Sequence, residues 1–440
     1  MSSDLLLAFY GDDFTGSTDA LEFLCRAGAK TMLFIDPPTV EQLNKYPDLQ
    51  AIGVAGKTRS MSPVAMEEVL FPAFQQLQQL KPRHVHYKVC STFDSSPTIG
   101  SIGKAIETGA AVFNNKFIPL LVAAPSLCRY CLFGNLFAKM GIGSDGKIFR
   151  LDRHPSMSKH PVTPATESDL RLHAAKQTAM QINLLDILQL GRSQNELREI
   201  IDGFTADNKS IVLIDALYET HLQPIGELMD TYAQQETLFS AGSSGIEMAL
   251  GNYWNTQGIL KTKSEWNEPG KADPLLVISG SCSPVTSEQI AWARINGFEE
   301  IVIDIHTTPG STEIKNKMET SCFETISYLK KGKSVIVHTG QKLAENLSAE
   351  TTGTALGLIA KEAVKQANIK RLVISGGDTS SYAARALAIE AVTMIAPLVA
   401  GAPLCKAISV DKTIDGLEVN FKGGQVGAAD YFGVLREGRI

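Results

Sequence analysis

The stretch Leu5-Leu-Leu-Ala-Phe-Tyr-Gly-Asp-Asp-Phe-Thr-Gly-Ser-Thr-Asp-Ala-Leu21 sets the fold class. Its apolar opening, Leu5–Tyr10, reads as a buried strand. Two glycines and two adjacent acids then turn the chain, and an amphipathic run of helical period follows. In an open α/β sheet this puts Asp12 and Asp13 at the carboxyl end of a strand, where such sheets bind ligands. A helix starting near Thr15–Thr18 aims its unpaired N–H groups at the same place, which favours an anion. Acids beside an anion site suit hydroxyl activation or metal binding on a charged substrate. One acid capping the helix would account for a single carboxylate but not for two.

Working outward, strand-like and helix-like segments alternate. Strands are expected at Thr31–Ile35, Ala51–Ala55, Val85–Val89, Ile118–Ala123 and Ile211–Asp215, with helices such as Ala65–Leu80 and Ser168–Ala179 between them. Residues 251–274 break the rhythm with turn formers, including Asn267-Glu-Pro-Gly-Lys-Ala-Asp-Pro274. The alternation then restarts with strands at Leu275–Ser279, Glu300–Ile305, Val335–His338 and Leu372–Ser375, a helix at Pro284–Asn296, and a hairpin from Ile408–Val410 and Glu418–Phe421. The expectation is an α/β protein of two domains with mainly parallel sheets, split near residue 255.

Composition bounds the function. The chain has 440 residues, 44% hydrophobic and 20% charged, as in ordinary folded domains. A net charge of −6 argues against nucleic acid as a partner. No apolar run reaches the roughly 18 residues of a membrane span. The seven cysteines are scattered and no basic n-region opens the chain, so buried free thiols in a soluble, cytosolic protein are expected.

Several motif matches lack the context their chemistry needs. Gly141-Ile-Gly-Ser-Asp-Gly146 follows a helix rather than a strand, so it does not read as a dinucleotide fingerprint. Gly56-Lys57-Thr58 lacks the first glycine of a P-loop, where Ala51 stands. Cys128-Arg-Tyr-Cys131 has no second pair and reads as two buried thiols. His84 and His86 share a strand face without a third ligand and read as structural. No metal site is assigned.

Three constellations remain. The first is the opening turn. The second, Lys88-Val-Cys-Ser-Thr-Phe-Asp-Ser-Ser-Pro-Thr98, leaves a strand at the same sheet edge and offers Lys88, Ser91, Asp94, Ser95 and Thr98 to a hydroxylated carboxylate. Arg59, after the third strand, is placed to clamp that carboxylate bidentately. The third lies beyond residue 275. Ser279-Gly-Ser-Cys-Ser283, Gly376-Gly-Asp-Thr379 and Lys422-Gly-Gly-Gln-Val-Gly427 are small-residue turns of the kind that build phosphate nests.

With these motifs on the page, the chain resembles the four-carbon acid sugar kinases along essentially its whole length. Asp12-Asp-Phe-Thr-Gly16 matches the family's opening motif. Cys90-Ser-Thr-Phe-Asp-Ser95 and the segment His154-Pro through Pro164 are similar to the 3-oxo-tetronate branch. Gly376-Gly-Asp-Thr379 stands where the family has Gly-Gly-Glu-Thr, and Gly424 falls in its Lys-Ser-Gly-Asn-Phe-Gly turn. Ile99-Gly-Ser-Ile-Gly103 departs from the usual Gly-Asn-Ile-Gly.

The resemblance implies residues 1–255 as the sugar-acid domain and 256–440 as the nucleotide-binding domain, with the active site in the interdomain cleft. It implies ATP and Mg²⁺ as cofactors and transfer to the terminal hydroxyl of 3-oxo-tetronate, threonate or erythronate. Asp12, Asp13 and Asp94 are the candidate catalytic acids. Phe14, Thr15, Gly16, Arg59, Lys88, Ser91, Ser95 and Thr98 are expected at the substrate. Ser279, Ser281, Ser283, Gly376, Gly377, Asp378, Thr379 and Gly424 are expected at ATP. The partners expected are the sugar acid and ATP, with a homodimer the expectation by class. A non-catalytic sugar-acid sensor on the same fold is the alternative.

Overall fold

Apolar runs of four to six residues alternate with amphipathic helices, and each run becomes a buried strand that needs cover on both faces. The computed structural model describes residues 5–140, 146–303, 312–340 and 348–440; the Gly141–Gly146 match lies largely outside them. The contacts divide the chain into two units. One comprises residues 1–12, 23–31 and 37–263, and the other residues 13–22, 32–36 and 264–440. The second unit is thus not a simple C-terminal segment.

In the first unit the strands run in the order Ala51–Ala55, Leu7–Gly11, His84–Lys88, Leu238–Gly242, Phe117–Leu121, Ser210–Ile214 and Gln181–Leu185, every described pairing being parallel. From Leu7–Gly11 the chain passes to neighbours on both sides, so this strand marks the switch point where ligands bind such sheets. The helix Pro63–Gln79 shows how the layers form. Ser62 caps it, Pro63 fills its first turn, and Met66, Leu70, Ala73, Phe74 and Leu77 form its buried stripe. Phe74 meets Phe239 at 5.3 Å, and Phe239 stacks on Phe113 at 5.3 Å. Gly109 permits this packing, since a Cβ there would lie 2.1 Å from the Phe239 ring.

A separate three-stranded antiparallel sheet, Arg129–Leu132, Asn135–Lys139 and Ile148–Arg150, was not expected. Cys131 is buried there, and Cys128 is half-buried at its margin. The expected helix Ser168–Ala179 shrinks to Leu170–Ala174, because Ala175–Met180 turns to feed the strand Gln181–Leu185. His84 and His86 are structural, as expected. His84 Nε2 lies 3.2 Å from Asp230 Oδ1, and His86 Nδ1 lies 2.6 Å from Glu247 Oε1.

In the second unit, parallel strands run in the order Phe298–Val302, Ser334–His338, Leu276–Ser279, Arg371–Ser375 and Glu418–Lys422. Leu404–Ile408, Ala391–Ala396 and the strand Thr31–Phe34 continue the sheet antiparallel. The terminal hairpin forms with its first strand four residues earlier than expected, at Leu404–Ile408. Leu275, Val277, Phe298, Ile336, Val373 and Phe432 belong to the core of this unit.

Candidate active site

In the first unit the register sets the site. Gly11 pairs with both Ala55 and Lys88, so Asp12, the Gly56–Arg59 turn and Val89 leave the sheet at one edge. Asp12 is buried, and Arg59 grips it with both arms. Arg59 Nη2 donates to Asp12 Oδ1 at 2.7 Å and Nε to Oδ2 at 3.0 Å. The Arg59 N–H also donates to the Asp12 carbonyl at 3.0 Å. Both carboxylate oxygens of Asp12 are thus engaged in orienting Arg59. Lys88 is buried beside it, its ammonium donating to the Val89 carbonyl at 3.1 Å.

The hydroxyl-rich loop packs against this edge. A Cβ on Gly100 would lie 2.4 Å from the Arg59 carbonyl, so only glycine lets the loop approach. Asp94 is half-buried and its Oδ1 accepts from Thr92 Oγ1 at 2.8 Å. Ser91 is half-buried, and Thr98 is exposed, with its N–H donating to Ser96 Oγ. Ser95, expected at the substrate, is engaged from within: its hydroxyl donates to the Phe93 carbonyl at 3.0 Å and accepts from Gln177 Nε2 at 2.9 Å. Its single proton being spent, the His173 Nε2 found 3.0 Å away carries the proton of that contact. Burial keeps His173 below the usual histidine range. A small cavity is lined by Thr92, Asp94, Ser95, Thr163, Glu167 and His173. The last two were not singled out from sequence, since nothing in their spacing links them to the loop. Burial also pushes the Cys90 thiol up to about 11.

The second unit holds Asp13 and the three small-residue turns. Asp13 caps the helix Phe14–Ala27: Gly16 N–H donates to its Oδ1 at 2.7 Å and Thr15 Oγ1 to its Oδ2 at 3.0 Å. The capping role thus applies, and the carboxylate has a second facing. A Cβ built on Gly377 would lie 3.4 Å from Asp13 Oδ2 and 3.7 Å from Thr15 Oγ1. Asp13 therefore stands at the start of the helix Gly377–Ala386. Phe14, expected at the substrate, instead packs in the core against Phe421, with ring centroids 4.3 Å apart.

The turns converge because their strands do. Ser279 pairs with Ser375, and Ser375 with Lys422, so the three turns leave at one edge. Their fit is tight. Gly376 sits at φ +114, a conformation glycine tolerates best, and a Cβ there would lie 2.8 Å from Thr379 Oγ1. A Cβ on Gly424 would lie 3.1 Å from Ser281 Oγ. The Ser281 N–H donates to Ser279 Oγ, and Ser283 Oγ is buried without a hydrogen-bond partner among the described residues. Asp378 is exposed at the helix start. Backbone N–H groups, hydroxyls and a lone buried oxygen atom fit a nucleotide's phosphates and ribose.

Lys422 was passed over in the sequence. Its side chain is fully buried under the third turn, and burial pushes its amine down to about 7. Its only signal is position, at the head of a glycine-rich turn.

Among the described residues no trio of His, Cys, Asp or Glu could hold a metal ion, and no helix is long and apolar enough to cross a membrane. Magnesium rarely needs such a trio, since it binds through one or two carboxylates and the substrate's phosphates.

Comparison with known proteins finds two domains in sequence order. Residues 7–250 match the sugar-binding N-terminal domain and residues 276–432 the nucleotide-binding C-terminal domain. A 3-oxo-isoapionate kinase from Paraburkholderia graminis is 40% identical, covering 99% of this chain and 95% of its own. A 3-oxo-tetronate kinase from Pseudomonas savastanoi pv. phaseolicola is 26% identical, covering 97% and 96%. A solved structure from Salmonella typhimurium LT2, described as a putative tRNA synthase, shares the fold with a TM-score of 0.78 at 22% identity over 100% of both chains. Since both domains match in order and a named kinase aligns along nearly the whole length, the chain belongs to the four-carbon acid sugar kinase family and is a phosphotransferase.

Proposed function

We propose that this protein is a cytoplasmic ATP-dependent kinase that phosphorylates the terminal hydroxyl of a 3-oxo sugar acid. The 40% identity to a 3-oxo-isoapionate kinase, against 26% for a 3-oxo-tetronate kinase, favours the first substrate type over the tetronates, threonate and erythronate. Residues 1–255 supply the sugar-acid site and residues 256–440 most of the nucleotide site.

The observation that carries the reading is Asp13, whose carboxylate faces the first turn of the Gly377 helix while its neighbour Asp12 is spent on Arg59. Phosphoryl transfer needs positioning and charge stabilisation more than covalent chemistry. Arg59, held rigid by Asp12, takes the substrate carboxylate, and Lys88 adds charge at the same edge. Asp13 orients the attacking hydroxyl and receives its proton as the bond to phosphorus forms. The Ser279–Ser283 and Gly376–Thr379 turns hold the phosphates by backbone N–H groups. Mg²⁺, bound with ATP, supplies charge neutralisation; Asp13 and Asp378 are the acids at these turns.

The test is a coupled ADP-release assay on purified protein across 3-oxo-isoapionate, 3-oxo-tetronate, threonate and erythronate. We expect ADP release that depends on the acid and is fastest with 3-oxo-isoapionate. Ligand binding without ADP release with any of them would instead mark a sensor.

A further inference from the structure

Lys422 ends the strand Glu418–Lys422, and its side chain has no exposure to solvent. Its ammonium group donates to the Gly423 carbonyl at 2.9 Å, to Thr286 Oγ1 at 3.1 Å and to the Gly424 carbonyl at 3.4 Å. The Tyr431 ring centroid lies 5.5 Å from Nζ. No carboxylate pairs with it among the described residues. Of the titratable groups on the surrounding elements, Tyr431 and Glu22 are engaged elsewhere. The Tyr431 hydroxyl donates to Asn420 Oδ1 at 2.7 Å, and Glu22 accepts from the Gly401 N–H at 2.9 Å. Asp13 and Asp378 stand at the neighbouring turn, and the helix Pro284–Ile295 presents uncharged Thr286 and Gln289.

An interior ammonium without a counter-ion is costly, and an apolar residue of similar size would ordinarily serve the fold better. Its bonds show what it does instead. A trans peptide points its carbonyl and the next N–H in opposite directions. Drawing the Gly423 and Gly424 carbonyls toward Nζ therefore turns the Gly424 and Gln425 N–H groups away from it. The same residue reaches the other two turns. Its carbonyl accepts from the Gly376 N–H at 2.8 Å, and Thr286 passes the contact to Ser281 Oγ at 3.1 Å.

We propose that Lys422 is the resident counter-charge for the nucleotide phosphates: a positioning residue that holds all three turns in their phosphate-binding shape and takes up a proton when nucleotide binds. This rests on the nucleotide reading of the unit. Burial leaves the amine largely neutral above neutral pH, and an arriving polyphosphate favours its charged form.

The test is calorimetric titration of the full-length protein with ADP at a mildly alkaline pH, in two buffers of different ionisation enthalpy. The wild type is expected to take up close to one proton per ADP bound. Lys422→Met should bind ADP at least tenfold more weakly, with no proton uptake. Without nucleotide it should melt at or above the wild-type temperature, with the larger gain at acid pH, because the buried charge is fully present below its pKa and relieved above it. A purely structural lysine would give the opposite, a lower melting temperature. Thr286→Val keeps the amine and should retain proton uptake with a smaller loss of affinity. ADP binding by wild type without proton uptake, or unchanged affinity in Lys422→Met, overturns the proposal. If wild type binds no ADP at all, the nucleotide reading itself fails. Should Lys422→Met not fold, the wild-type proton count decides.

Discussion

The carboxyl ends of the parallel strands handle charge in opposite ways in the two units. In the first unit a buried acid is matched by a guanidinium, Asp12 with Arg59, and the geometry is bidentate. In the second, the corresponding turns present backbone N–H groups and hydroxyls, over a buried amine that no carboxylate balances among the described residues. Under the proposed function, the difference follows the ligands each would recognise. Paired side chains fix direction and reject a molecule whose hydroxyls or carboxylate are misplaced. Backbone nests read charge and little else, which suits a phosphate chain common to all nucleotides.

The comparison can be broken first at Asp13. Asn is as good a helix cap as Asp, so Asp13→Asn should fold normally. It should lower kcat by about 10²- to 10⁴-fold, the range for losing a positioned base, while ADP affinity stays within about twofold; steady-state kinetics beside calorimetry reads both. Equal losses in turnover and ADP affinity would place Asp13 in nucleotide binding instead.

The pairing habit of the first unit is next. Asp230, buried, accepts from Trp254 Nε1 at 3.0 Å and pairs with Arg83 and His84. Asp230→Asn should cost about 3–5 kcal/mol of unfolding free energy, since it leaves buried partners unbalanced. Urea denaturation measures this, and a loss below about 1 kcal/mol, the range of an exposed pair, would break the claim that these pairs are structural. Arg59→Lys sharpens the comparison most finely. Lysine keeps the charge but not the fork, so KM for the sugar acid should rise roughly tenfold or more while ADP affinity is unmoved.

Much of the fold was legible. Runs such as Ile211–Ile214 are apolar throughout because both faces are covered, and small-residue turns after Ser279 and Ser375 marked the sheet edge. Gln181–Leu185 was missed because it is an edge strand, mostly half-exposed and mixed in composition. The strand Leu238–Gly242 was missed because it is short and shades into small residues that also suit a turn. The site was legible in its residue types but not in its partnerships. Sequence shows Asp12 and Asp13 as equals, and only the register that brings Arg59 to Asp12 separates them. It shows Lys422 before two glycines, where a solvated lysine is the ordinary reading; only strand pairing reveals its depth.

The composition of the second unit has a consequence for how this enzyme can be taken apart. Residues 13–22 and 32–36 fold with residues 264–440, bringing Phe14 to Phe421 and the strand Thr31–Phe34 to Ala391–Ala396. A fragment begun at the linker would lack a strand, a core aromatic and the acid that stands at the Gly376–Thr379 turn. Asp13 is encoded with one half of the gene and housed by the other, so neither half can be traded for a foreign domain without carrying a piece of its companion.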